Sequence, residues 1–114
     1  MSSCLFCEII KGNLNADLVY EDDQVVAFKD INPQAPFHLL VIPKAHIATL
    51  NELESEHKEL VGHLFLVAKD LATDAGYGQR GYRTVFNCNS DAGQAVYHIH
   101  MHVLAGRILG WPPG

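Results

Sequence analysis

Between Tyr97 and Val103 the chain sets a histidine at every second position, His98, His100 and His102, in a run otherwise made of aromatic and aliphatic residues. Successive side chains of an extended strand point to opposite sides. Tyr97, Ile99, Met101 and Val103 therefore share one surface and the three imidazoles share the other. At ~3.3 Å rise per residue, neighbouring imidazoles stand about 6.6 Å apart along the backbone. Each buried ring must either be desolvated as a cation or have both nitrogens satisfied, a cost rarely met for packing alone. The pattern predicts a strand over 95–104 with core on one face and chemistry on the other.

The surrounding segments supply the rest of a sheet. Leu18-Val19-Tyr20 and Gln24 to Phe28 flank the acidic turn Glu21-Asp22-Asp23 and read as a hairpin. Phe37 to Ile42 and Tyr82 to Cys88 read as two further strands, the first following an ordered loop that contains Pro33 and Pro36. Cys4 to Ile10 predicts a short helix stopped by Gly12. From Ser55, a plausible N-cap, Leu60, Leu64, Val67, Ala68 and Leu71 repeat at three and four, which predicts one long helix stopped near Gly76. Five strands in hairpin-like order with one long helix imply an α+β fold on a mostly antiparallel sheet, one face open to a ligand. His57 and His63 are expected on the surface of the helix, Glu21 to Asp23 in a solvated turn and Cys88 in the core. With 114 residues and 48% hydrophobic content, the chain is expected to form a single domain over 1–114.

Charge and hydropathy exclude several classes. A net charge of -5 and scattered basic residues oppose binding to nucleic acid. No apolar run reaches the ~20 residues of a membrane span. Met1-Ser2-Ser3-Cys4 lacks the features of a secretory signal, so a cytoplasmic location is expected and the three cysteines are read as thiols or metal ligands.

Three aligned imidazoles suit two chemistries: metal binding, or a nucleophilic ring whose neighbours manage charge on an anionic substrate. The small-residue segment Asn87-Cys88-Asn89-Ser90-Asp91-Ala92-Gly93-Gln94 favours the second, because its amides can turn toward phosphate oxygens.

His98-Ile99-His100-Met101-His102-Val103-Leu104 resembles the motif of the histidine-triad family. Asp30 to His38, Leu40-Val41-Ile42-Pro43-Lys44, Gly93-Gln94 and Trp111-Pro112-Pro113-Gly114 are similar, in order, to blocks of its Hint branch, the histidine-triad nucleotide-binding proteins. The resemblance covers nearly the whole chain. It implies a homodimeric purine nucleoside phosphoramidate hydrolase, acting also on aminoacyl adenylates, that passes through a nucleotidyl-histidine on His100. His98 would supply the main-chain carbonyl that orients His100, His102 would contact the phosphate and assist the leaving group, and His38 would support the triad. Asp30 would hold the ribose hydroxyls. Leu5, Phe6, Ile9, Phe28 and Ile31 would form the slot for the base, Asn87, Gly93 and Gln94 the loop around the phosphate, and Trp111 joins the nucleotide-binding set or docks on a second subunit.

Two departures from the family pattern stand out. A phosphate-binding serine is often found where this chain has Ala95, leaving only the amide at that position. Cys4-Leu5-Phe6-Cys7 matches relatives that hold structural zinc with such a pair and two histidines, here His46 and His98. The alternative for the pair is two small buried residues on a helical turn. No cofactor is expected for catalysis itself. Competing functions are a dinucleoside polyphosphate hydrolase and a non-catalytic purine-nucleotide binding module.

Overall fold

The structure, a computed structural model, describes residues 4–114. Helix α1 (Leu5–Lys11) begins where extended Cys4 turns its Sγ to accept the Cys7 amide, and ends at Gly12, whose φ of 83° a side chain would resist. Strands β1 (Leu18–Glu21), β2 (Val25–Lys29) and β3 (Phe37–Pro43) follow, then helix α2 (Lys58–Asp74), β4 (Arg83–Val85), a one-turn helix α3 (Asn89–Ala92) and β5 (Met101–Ala105). The strands form one five-stranded sheet in the order β1-β2-β3-β5-β4, every neighbouring pair antiparallel.

Strand alternation sorts the side chains onto two faces. Val25, Ala27, Leu39, Val41, Met101 and Val103 pack against Leu64, Val67, Ala68 and Ala72 of α2. Val26, Phe28, Leu40 and Ile42 point the other way and pack with Phe6 of α1. The 17-residue α2 is about 26 Å long and covers its face, whereas seven-residue α1 spans only about 10 Å. The second face is thus half open, and the histidines lie on it.

Several boundaries differ from the expected ones. The ladder of the histidine strand begins only at Met101, because β3 pairs with β5 up to Val41↔Met101 and the Ile99 amide donates to Ile47 O instead (2.8 Å). β4 is three residues long, and Cys88 caps the turn of α3 rather than lying in a strand. Ser55 does not cap α2: Ser55–His57 form a 3-10 turn closed by a reciprocal pairing of Glu54 and His57, and α2 starts at Lys58. Gly76, at φ 93°, lets Tyr77 N reach Ala72 O and ends the helix as expected.

Nor are His63 and Asp22 merely solvated. The Asp22 carboxylate accepts from Tyr20 Oη (2.6 Å), the amides of Gln24 and Val25, and His63 Nε2 (2.6 Å), tying the first hairpin to α2. Burial pushes the Asp22 carboxyl up, but these four donors together hold it well below the ordinary carboxylate range. No helix among the described residues is long and apolar enough to cross a membrane.

Candidate active site

Opposite Leu40 in the ladder sits His102, and two residues along β3 from Leu40 sits His38. This diagonal pairing brings His38 Nε2 to 2.9 Å from His102 Nδ1. Asp30, just past β2, donates its amide to His38 O and sets Oδ2 3.4 Å from His38 Nε2 and 4.0 Å from His102 Nδ1. Burial lowers the His38 pKa against the pull of Asp30. In His102, burial comes first, then the charges of His100 and His38, and together they push the pKa down to about 4 despite Asp30. Both shifts favour the neutral ring.

His100 is buried, with Phe6 edge-on at 5.1 Å and the His102 ring at 5.1 Å. Its Nδ1 lies 2.8 Å from His98 O. A carbonyl can only accept, so Nδ1 carries a proton, and in the neutral ring the lone pair is therefore on Nε2. That is the form of imidazole able to attack an electrophile.

His98 lies in a different environment, with no exposed surface. Its Nε2 donates to Pro43 O (2.8 Å), which leaves Nδ1 unprotonated and turned toward Cys4 Sγ (3.5 Å), Cys7 Sγ (3.6 Å) and His46 Nδ1 (3.2 Å). Cys7 Sγ is also 3.2 Å from His46 Nδ1. Burial lowers the His98 pKa; the Pro43 bond opposes this and the charges of His46 and His100 add to it. Two sulfurs and two imidazole nitrogens all fall within 4.8 Å of one another. A tetrahedral zinc with ordinary bond lengths has nitrogen-to-nitrogen edges of about 3.4 Å and sulfur-to-nitrogen edges of about 3.6 Å, so the donor set fits that ion.

A cavity of ≈ 530 Å³ opens beside α1. Of the expected residues it is lined by Leu5, Phe6, Ile9, Phe28, Asp30, Ile31, Asn87, Gly93, Ala95, His100 and His102. One wall is apolar and comes from α1 and β2. The other carries the two imidazoles and the small-residue segment after α3. This size and mixture of surfaces suit a mononucleotide.

A family model described as scavenger mRNA decapping enzyme C-term binding matches residues 3–109. An uncharacterised HIT-like protein of Synechococcus elongatus is 53% identical over 110 residues, covering 96% of each chain. The purine nucleoside phosphoramidase of Escherichia coli is 47% identical over 106 residues, 93% of this chain and 89% of that protein. The crystal structure of a HIT family hydrolase from Legionella pneumophila superposes with a TM-score of 0.97 at 53% identity, over 98% of this chain and 100% of the other. A histidine-triad protein from Clostridium difficile gives 0.93 at 43% identity, over 96% of each.

The chain belongs to the histidine-triad family. The likeness to the E. coli protein fits the Hint branch, and the family carries the hydrolase character of its named members. Four of the expected catalytic and nucleotide-binding residues fall outside the cavity of this histidine-triad fold, the first being His38, which meets it only through His102. The Gln94 side chain braces the loop from behind, accepting from Asn89 N and donating to Ala48 O and Val96 O. His98 faces the cysteines, with only its carbonyl reaching His100. Trp111 is 83% exposed and lines a separate groove with Arg83 and Phe86. The C-terminal segment runs back along β4, where Arg83 donates to Gly110 O (2.9 Å), so within one chain the indole does not reach the cavity.

Conversely, Leu14, Asn15, Ala16, Lys29, Leu40 and Val96 line the cavity without having been anticipated. Leu40 was accessible from the sequence, since it lies two residues from His38 and so on the same strand face. The segment 14–16 carries no such period, and only the fold returns it to the site.

Proposed function

We propose that the protein hydrolyses purine nucleoside 5′-phosphoramidates, and by the same attack aminoacyl adenylates, through a nucleotidyl-histidine on His100. The observation that carries this reading is the His100 ring at a nucleotide-sized cavity, its Nδ1 proton held by His98 O so that Nε2 is the nitrogen available to a substrate. Nε2 forms a bond to the α-phosphorus, the phosphorus-to-nitrogen bond of a phosphoramidate breaks, and the amine departs with a proton taken up from solvent; with an aminoacyl adenylate the phosphorus-to-oxygen bond breaks and the amino acid departs as its carboxylate. Water then attacks the same phosphorus, gives up a proton to solvent, frees the nucleoside monophosphate and returns the imidazole to its neutral form. From the phosphorylated imidazolium neutral imidazole is a good leaving group, which is the gain from splitting the reaction in two.

The other roles follow from chemistry and position. Phe6, Ile9, Phe28 and Ile31 receive the base, the two carboxylate oxygens of Asp30 suit vicinal ribose hydroxyls, and Asn87, Gly93 and Ala95 border the phosphate. Cys4, Cys7, His46 and His98 would hold a structural zinc ion that cross-links α1 to the segments on either side of α2. A second copy of the chain would pair along the β4 edge, next to the exposed Phe65 and Leu66 of α2.

Incubation with adenosine 5′-phosphoramidate tests the reading. Turnover is expected, with a quenched sample carrying the AMP adduct on His100 by mass spectrometry. AMP binding without turnover would leave a nucleotide-binding module instead. Elemental analysis of protein purified without chelator tests the zinc, and sedimentation the second copy.

A further inference from the structure

The four histidines around the site are ordinarily free to choose which nitrogen bears the proton, yet here main-chain groups make the choice. His98 is set by Pro43 O and His100 by His98 O. For His38 the partner is a donor: Gln34 N–H points at His38 Nδ1 across 3.0 Å. An amide cannot accept at that nitrogen, so Nδ1 is bare and the proton of the neutral ring sits on Nε2. From there it reaches His102 Nδ1 at 2.9 Å, a hydrogen-bond length, with Asp30 Oδ2 farther off at 3.4 Å. His102 Nδ1 is then an acceptor. Its own proton lies on Nε2, and this N–H is what the ring offers to the cavity it lines.

The Gln34 amide is held by the loop between β2 and β3. Within that loop Asp30 Oδ1 accepts from Asn32 N (2.8 Å), and Gln34 Nε2 donates to Asn32 O (3.0 Å). Across the chain, Arg107 Nε donates to Gln34 O (3.0 Å) while its guanidinium also bonds Ile108 O (3.0 Å). Beside this bond Gly106, at φ +97°, touches the loop so closely that a Cβ there would stand 2.9 Å from Pro36 Cβ. Two adjacent residues after β5 therefore clasp the loop, one by a hydrogen bond and one by contact. Arg107 is exposed and does not line the cavity.

We propose that Arg107 is a positioning residue: by holding the Gln34 amide against His38 Nδ1 it fixes the proton on Nε2 of His38 and, through it, the phosphate-facing Nε2–H of His102. The catalytic consequence rests on the hydrolase reading above; the proton arrangement itself does not. An imidazolium at His38 would set two hydrogens against each other at Nδ1. The amide thus also keeps Asp30 from drawing a second proton onto the ring.

Side-chain ¹⁵N NMR of the full chain at pH 7 reads the arrangement directly. His38 and His102 are both expected as the Nε2–H form in the wild type. In Arg107→Ala the His38 signals should shift toward a mixture of forms. The kcat for adenosine 5′-phosphoramidate should fall about tenfold while KM stays within about twofold, as for a misaligned rather than missing group. Arg107→Lys, which retains one donor, should recover most of the loss. Gln34→Pro removes the amide hydrogen itself and should give the same spectral change. A wild-type His38 protonated on Nδ1, or an Arg107→Ala protein with unchanged spectrum and kcat, would overturn the proposal. If the spectra behave as stated but no variant, wild type included, turns over substrate, the hydrolase reading falls and the positioning role of Arg107 in the proton arrangement stands.

Discussion

His98 and His102 come from one short run of sequence, four residues apart, and their rings do opposite things. His98 has no exposed surface, is pinned by Pro43 O and turns its bare nitrogen to two sulfurs and another imidazole. His102 lines an open cavity and meets His38 and Asp30. The first environment suits a soft divalent ion and the second an anionic ligand. The reason lies in the backbone: His102 is in the ladder with β3, whereas His98 has left it, so its neighbours are α1 and the segment after Pro43. Between them His100 takes its orientation from His98 and its surroundings from the cavity. A histidine's job here is set by which segment lies across from it.

If the two ends are separate in function, the sharpest break comes from His100→Ala. Hydrolysis should drop by roughly a thousandfold or more, as when a nucleophile is removed, while calorimetry still detects AMP in the cavity. Retained turnover would move the nucleophile elsewhere.

At the other end, replacing Cys4 and Cys7 by Ser should abolish bound zinc in elemental analysis and lower thermal stability. The loss is worth about 4 kcal/mol when free metal is a thousandfold above its Kd. The kcat should change much less than in His100→Ala. An equal collapse of both would show that the two ends are one unit.

Within the cavity, Ala95→Ser adds a hydroxyl beside the phosphate segment. It should tighten AMP by up to about fivefold, the worth of one hydrogen bond of about 1 kcal/mol, without altering zinc content.

Acid should separate the regions by stability. Folding lowers the pKa of His38 and His102, so the unfolded chain binds protons that the folded chain refuses. Stability should therefore decline as pH falls below ~6.5. For His102 the decline continues to its folded value of about 4. The Asp22 clasp declines in the same direction but in a lower window: its carboxyl is lowered, so its contribution persists until pH falls below the ordinary carboxylate value of ~3.9. Loss first appearing below pH 4 in denaturant titrations would contradict this order. The smallest effect is expected from His63→Ala, which removes one partner of a partly exposed pair and should cost about 1 kcal/mol or less.

Much of this was legible along the chain because local patterns carry it. Apolar runs bounded by an acidic turn and by prolines predict strands at 18–20, 24–28 and 37–42, and period 3.6 predicts the long helix. The expected histidine strand was too long because alternation of side chains continues after the ladder stops; His98 and Ile99 look like strand residues but pair elsewhere. His63 lies on the helix surface, but its partner is hidden from the sequence for a related reason. Its partner, Asp22, sits in a turn 41 positions away, and no local period relates a helix to a hairpin tip. The Arg107 contact with Gln34 spans 73 positions and involves a main-chain carbonyl, which leaves no trace in residue type.

What the sequence by itself determined was the inventory and the facing: three imidazoles on one side of an apolar strand, two cysteines on one turn, and a family likeness along nearly the whole length. The facing follows from chain geometry that repeats every two or every 3.6 residues, and the likeness from motif blocks read in order. Only the tertiary structure decided which imidazole meets the thiols, which meets the cavity, and which nitrogen of each carries its proton. Those choices depend on single carbonyls and amides brought in from distant segments, and main-chain groups are identical at every position of a sequence until folding places them.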